Sequence, residues 1–228
     1  MPHTAHTSLA TQVGLLGGTF NPPHNAHLAL ALAAQAQLGL QRVDLMPTGQ
    51  PWQKISVQTP NLTPNQTPNS IAARPVLAPV HHRLAMCHLA INTQKANTMA
   101  LGIEACETLR LGNTYTVDTL RWLKQQYPHT QFTLIIGADQ AQRLDTWHEW
   151  RTVLSLCRLA IVARNGVPAQ LPEHVAAHCA DYAALKMPAM DCSSSAIRAR
   201  IAARLSIAGM VPVAVERYIV KHSLYLAP

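Results

Sequence analysis

Short apolar runs alternate along this chain with longer stretches in which Leu, Ala and Val recur every three or four residues. Residues 13–16 form an apolar run that stops at Gly17-Gly18, which predicts a buried strand ending in a tight turn. From His27 to Leu40 the chain is rich in Ala and Leu. Leu28, Leu32, Ala36 and Leu40 fall at helical spacing with Gly39 near the end, and this predicts a helix. A second strand is expected over 43–46. Further on, the periods predict helices over 80–92, 116–127, 140–144, 149–156, 195–204 and 212–222. Strands are expected over 98–103, 132–136, 159–163 and 181–187. Strand and helix alternate to the end, so the fold class is α/β with a doubly wound parallel sheet.

Two stretches stand outside this rhythm. Residues 1–12 carry no Lys or Arg and no apolar core, so they read as a polar tail and not as a signal peptide. Residues 47–79 are rich in Pro, Asn, Thr and Gln and hold too little apolar surface to fold alone. They are expected to form a long mobile loop. A linker between two domains is the rival reading, but the segment before it is too short for a domain, so residues 13–228 read as one.

Composition narrows the function classes. No run of 18 uncharged apolar residues occurs and the mean hydropathy is +0.04, so no membrane-spanning segment is expected. The five cysteines are scattered singly without Cys-x-x-Cys, which favours reduced thiols in a cytoplasm over a disulfide framework or zinc site. A net charge of +7 and a pI near 9.5 invite a nucleic-acid reading. Yet only 13% of residues are charged, and the basic ones cluster no further than Arg198, Arg200 and Arg204. Such a balance suits an anionic small substrate as well as a polynucleotide.

The chemistry gathers in two segments. In the first, Gly17-Gly18-Thr19-Phe20-Asn21-Pro22-Pro23-His24-Asn25-Ala26-His27, two glycines after a strand let backbone approach a bulky anion. The helix that follows offers free N–H groups and its positive end. His24 and His27, three apart at that helix start, can face one crevice and donate to phosphate oxygens. Two plainer readings stay open: a capped helix with incidental histidines, 12 being present, or a metal pair, for which no nearby Cys or carboxylate completes a site. The second segment is Cys192-Ser193-Ser194-Ser195-Ala196-Ile197-Arg198. Serines before a helix are ordinary N-caps, but Arg198 lies one turn inside the same helix, so hydroxyls, N–H groups and a guanidinium can converge on phosphate.

Together these residues resemble the bacterial nicotinate-nucleotide adenylyltransferases of the Rossmann-like nucleotidyltransferase superfamily. That family opens with Gly-Gly-Thr-Phe-Asp-Pro-x-His-x-Gly-His and closes with Ile-Ser-Ser-Thr-x-Ile-Arg, similar to Gly17–His27 and Cys192–Arg198 here. Its Gly-x-Asp, seven residues, Trp is matched by Gly137, Asp139 and Trp147, and its Tyr-Thr before a helix by Tyr115-Thr116. Its ending is matched by Pro212, Val215, Tyr218-Ile219 and Leu224-Tyr225. Departures are Asn21 for Asp, Ala26 for the Gly between the histidines, Ser195 for Thr, and Gln50-Pro51-Trp52-Gln53-Lys54 where the family has Pro-Pro-His followed by a basic residue.

The resemblance implies a Rossmann-like domain that transfers an adenylyl group from ATP to nicotinate mononucleotide, giving nicotinate adenine dinucleotide and pyrophosphate, with Mg²⁺ carried on the ATP phosphates. It implies catalytic roles for His24, His27 and Arg198. It implies ATP contacts from Gly17, Gly18, Thr19, Phe20, Gly137, Asp139, Ser194 and Ser195, with the last two gripping the leaving phosphates beside Arg198. Acceptor contacts would come from Lys54, Tyr115, Thr116, Trp147 and His148, Trp147 stacking on the pyridine ring. Trp147 beside Trp150 also reads as plain core, and Asp139 as a helix cap. Two rivals are a sister transferase for pantetheine phosphate or a cytidylyl group, and a non-catalytic nucleotide-binding or nucleic-acid-binding protein. No RNA-reading aromatic motif is present, and neither nucleic acid nor membrane is expected as a partner.

Overall fold

The computed structural model describes residues 11–49, 77–93, 100–110, 112–163, 168–179, 181–188 and 190–226. In chain order these form β1 (Gln12–Gly18), α1 (Asn25–Leu38), β2 (Arg42–Pro47), α2 (Val80–Asn92) and β3 (Ala100–Ile103). They continue as α3 (Cys106–Leu109), α4 (Thr116–Gln126), β4 (Gln131–Gly137), α5 (Ala138–Ala141) and a 3-10 turn (Leu144–Thr146). The remainder is α6 (Trp150–Leu156), β5 (Arg158–Val162), α7 (Glu173–Ala176), β6 (Tyr182–Leu185), α8 (Ser194–Ala202) and α9 (Val213–Lys221).

All six strands run parallel in the order β3-β2-β1-β4-β5-β6, the doubly wound arrangement expected from the alternation. Both faces are covered, so the strands read as nearly continuous apolar runs. Along β1, Val13 and Leu15 enter one core with α4 and α6, whereas Leu16 enters the other with α1, α2, α8 and α9. Leu15, Leu45, Leu134 and Ile161 are fully buried, each contributing roughly 1.5–3 kcal/mol by leaving water. α1 stops at Gly39, whose φ of 63° is the left-handed conformation a helix end favours and glycine adopts without strain.

Three details differ from the pattern-based expectations. Gln12, read as tail, opens β1 in register with Gln131, and the Gln131 N–H donates to the Thr11 carbonyl at 2.8 Å. Pro47, read as loop, closes β2. The helix expected over 140–144 starts earlier, at Ala138, and gives way to the 3-10 turn, because Gly137 ends β4 and caps the helix directly. The helices α3 and α7 span four residues each, too few to show a period in sequence. The expected loop falls largely on residues 50–76, and the tail on residues 1–10, both outside the described residues. No helix among the described residues is long and apolar enough to cross a membrane.

β1 and β4 are neighbours although the loops leaving their carboxyl ends lead to opposite faces, α1 to one and α5 to the other. A crevice at such a switch point is where ligands bind in sheets of this kind. Gly17-Gly18 and Gly137 lie at those two strand ends.

Candidate active site

The turn from β1 to α1 is held by a residue in strained backbone. Phe20 has a φ of 47°, a left-handed conformation that costs a non-glycine residue on the order of 1–2 kcal/mol. Its ring is 1% exposed and lies under Gly18, where an added Cβ would come within 3.1 Å of it. The ring therefore shapes the loop from inside, and what Phe20 can offer a ligand is its backbone. Gly17 is different. A Cβ there would meet only the Met46 methyl, at 3.6 Å. Packing does not require glycine at 17, so an approaching ligand is the better reason for it. Gly17→Ala is expected to keep the melting temperature within about 2 °C while raising the KM for ATP about tenfold or more. Unchanged KM would show that nothing packs on this backbone.

His24 is the N-cap of α1 and His27 its third residue. The His24 N–H donates to Nδ1 of His27 at 3.2 Å, a variant of the capping box. An accepting Nδ1 carries no proton, so the neutral His27 ring has its donor on Nε2. The two rings stack at 3.7 Å between centroids, and the Phe20 ring meets His27 edge-on at 4.8 Å. The sequence-expected histidine pair is thus brought together at a helix start, with His24 buried and His27 half-buried.

α8 comes back to the same loop. Ser193 is its N-cap and accepts the Ala196 N–H at 3.2 Å. Ser194 donates its hydroxyl proton to the Pro22 carbonyl at 2.9 Å. Arg198 donates to the Asn21 carbonyl at 2.8 Å and to Ser195 Oγ at 3.3 Å. Ser194 and Arg198 therefore tie the second motif segment to the first, so the two segments lie together. Half burial draws the Arg198 guanidinium below its ordinary pKa.

At the end of β4, Gly137 is the cap of α5, so Asp139 is not the N-cap. One Asp139 oxygen, Oδ2, accepts from Gln140 at 3.3 Å, while Oδ1 is buried with no hydrogen-bond partner among the described residues. A buried acceptor without a donor suits a ligand hydroxyl. Trp147 packs on the α4–α6 core, and its indole N–H is likewise buried without a partner. Core packing and a ligand-facing polar atom thus coexist in this residue. Tyr115 caps α4, which places the Thr116 N–H in that helix's open first turn. The His148 ring lies 4.5 Å from that of Tyr115, between centroids, so Tyr115, its neighbour Thr116 and His148 lie together. Lys54 lies outside the described residues.

Arg83 lies outside every motif, and two motif positions, Asn21 and Tyr225, have contacts at this site that the motifs do not reveal. Arg83 is 1% exposed and donates to the carbonyls of Thr19, Thr48, Gly49 and Ala78. Asn21 accepts, through Oδ1, from the Tyr225 hydroxyl at 2.9 Å and the Ala78 N–H at 3.0 Å. Tyr225 is 4% exposed, so the C-terminal segment closes the floor of the loop. A legible signal for Arg83 existed: it shares the apolar stripe of α2 with Met86, Cys87 and Ala90.

Among the described residues, no group of three His, Cys, Asp or Glu side chains could hold a metal ion. The donors present, imidazole, guanidinium, hydroxyl and main-chain N–H, suit phosphate oxygens, and a cation arriving on a nucleotide would be held through those oxygens.

Residues 15–200 match the model of the family described as Cytidylyltransferase-like. A protein of Albidiferax ferrireducens named "probable nicotinate-nucleotide adenylyltransferase" is 39% identical over 217 residues, covering 94% of this chain and 98% of that protein. One of the same name from Bordetella petrii is 37% identical over 218 residues, covering 94% and 98%. Among solved structures, Plasmodium falciparum nicotinic acid mononucleotide adenylyltransferase complexed with NaAD superposes with a TM-score of 0.71 over 94% of this chain and 97% of that one. At 18% identity that last likeness speaks for the shared fold.

Proposed function

The chain belongs to the Cytidylyltransferase-like family and, within it, to the nicotinate-nucleotide adenylyltransferases, and from that membership we propose how its crevice works. It transfers the adenylyl group of ATP to nicotinate mononucleotide, yielding nicotinate adenine dinucleotide and pyrophosphate, a step of NAD biosynthesis. The observation that carries this reading is the junction of two helix starts, α1 and α8, at the β1–β4 switch point.

A 5′-phosphate oxygen of the acceptor attacks the α-phosphorus of ATP in line, and the bond from that phosphorus to the β-bridging oxygen breaks as pyrophosphate leaves. No protein nucleophile is required, so catalysis consists of positioning and charge stabilisation. His27, with Nδ1 occupied by the His24 N–H, directs Nε2–H to the triphosphate. Beside it, His24 completes the imidazole face. Arg198 and the α8 N-terminus take the charge that grows on the departing β,γ-phosphates, with Ser195 holding the guanidinium. Ser194 spends its proton on Pro22 and acts by fixing the loop. Asp139 Oδ1 accepts from a ribose hydroxyl, Gly17 lets the triphosphate lie against main chain, and Gly18, which makes room for the Phe20 ring, adds its backbone to that surface. Mg²⁺ would be held through the ATP phosphate oxygens, beside the imidazole and guanidinium donors, and would supply charge neutralisation there.

On the acceptor side, Trp147 stacks on the pyridine ring, with Tyr115, Thr116 and His148 around its carboxylate. Residues 13–228 act as one nucleotidyltransferase domain, in the cytoplasm, where the unpaired cysteines stay reduced.

The test is pyrophosphate release from ATP, followed with one acceptor at a time. Release with nicotinate mononucleotide and none with pantetheine phosphate is expected. The reverse pattern would assign the chain to a sister activity, and release with CTP in place of ATP would move it to cytidylyl transfer.

A further inference from the structure

Arg83 is the largest fully buried side chain among the described residues. Its Nη1 donates to the carbonyls of Thr19 and Thr48, each at 2.8 Å, its Nη2 to Gly49 at 2.8 Å, and its Nε to Ala78 at 3.1 Å. One guanidinium thereby joins the loop after β1, the end of β2 and the entrance of α2. The Thr48 N–H donates to the Gly18 carbonyl at 3.0 Å, so the same knot closes on the glycine pair.

Hydrogen bonding explains the fork but not why its charge is tolerated, since a buried cation is costly without an anion. Among the described residues, no carboxylate pairs with Arg83 or with Arg198. The ionisable groups that act on Arg83 are Cys87 and Tyr225, and on Arg198 Tyr225 again. Burial keeps both uncharged: the Cys87 thiol is pushed up to about 12, and the Tyr225 phenol is raised as well although both guanidinium groups pull against the shift. Tyr225 in turn donates to Asn21, at the position where the resembling motif has Asp. Two positive charges thus converge on a neutral Asn–Tyr pair beneath the phosphate loop.

We infer that Arg83 is a positioning residue for the triphosphate: it clamps the Thr19 carbonyl, and its charge, uncancelled along with that of Arg198 because residue 21 is Asn, raises the loop's affinity for polyphosphate. This rests on the reading that the loop binds the ATP phosphates. Arg83→Lys keeps a charge but has three donors for four carbonyls. Asn21→Asp keeps an acceptor for Tyr225 and Ala78 and adds a carboxylate near both guanidinium groups.

Pyrophosphate binding to the full-length protein, measured by titration calorimetry, tests the inference. Arg83→Lys is expected to raise the Kd about tenfold while leaving the KM for the acceptor within about twofold of wild type. Asn21→Asp is expected to raise the Kd about fivefold and also to raise the melting temperature, because it neutralises buried charge. Wild-type pyrophosphate affinity in both variants overturns the inference, as does an equal rise in Kd and acceptor KM in Arg83→Lys, which would mark a purely structural clamp. If Arg83→Lys does not fold, unchanged affinity in Asn21→Asp alone overturns it. A wild-type protein that binds pyrophosphate but releases none from ATP would count against the proposed reaction and leave this inference standing.

Discussion

Replacing His27 by alanine is expected to lower turnover by about a hundredfold or more, the scale seen when a donor to a developing charge is removed. The argument is geometric. The His24 N–H occupies Nδ1 of His27 at 3.2 Å, which leaves Nε2–H as the donor, and the Phe20 ring braces the imidazole edge-on. A fixed donor of known tautomer needs no reorganisation as charge moves onto the phosphates. The same substitution removes an acceptor at the start of α1, a loss of roughly 0.5–2 kcal/mol. The melting temperature is therefore expected to fall by a few degrees, with the fold retained. Circular dichroism and steady-state rates on one preparation separate the two effects. A folded variant with near-normal turnover would reduce His27 to a capping residue.

The second large effect is acceptor choice. Thr116 is the first residue of α4, where a helix N–H has no intrahelical partner, and the His148 ring lies beside that of Tyr115. Main-chain N–H groups donate to both oxygens of a carboxylate, whereas a carboxamide would turn its NH₂ toward one of them. A donor facing a donor costs on the order of 1–3 kcal/mol, or roughly ten- to a hundredfold in preference. Nicotinate mononucleotide is expected to exceed nicotinamide mononucleotide in kcat/KM by that factor. Trp147→Ala should raise the KM for the acceptor and leave that for ATP nearly unchanged, because the indole adds stacking area without reading acid from amide. Equal use of the two acceptors would remove the main-chain readout. An unfolded Trp147→Ala protein would mean that packing on the α4–α6 core outweighs any ligand role.

Much of this was legible in the residue pattern. The alternation of short apolar runs with helical periods leads directly to the parallel doubly wound sheet, since strands covered on both faces have no polar alternation to obscure them. Helix α2 keeps its expected bounds, 80–92, because Pro79 precedes it and its stripe of Met86, Cys87 and Ala90 is clear. The histidine pair and the serine–arginine segment are motifs carried by consecutive residues, so each could be found without knowing the fold. What spacing could not show is their joining. Ser194 to Pro22 and Arg198 to Asn21 span more than 170 positions, and only the crossovers of the sheet bring them together. The partners of Arg83 were hidden for a related reason: they are four carbonyls, groups every residue possesses and no motif records. The short helices α3 and α7 lie below the length at which a period can be read.

The most direct measurement of the central claim follows the phosphorus atoms. With ATP labelled at the α-phosphorus and nicotinate mononucleotide as acceptor, the label should move quantitatively into the dinucleotide, while ATP labelled at the γ-phosphorus should yield labelled pyrophosphate and no labelled dinucleotide. That partition requires attack at the α-phosphorus with the β,γ-pair as the leaving group. Label from the γ-phosphorus appearing as inorganic phosphate, or on the acceptor, would contradict the account.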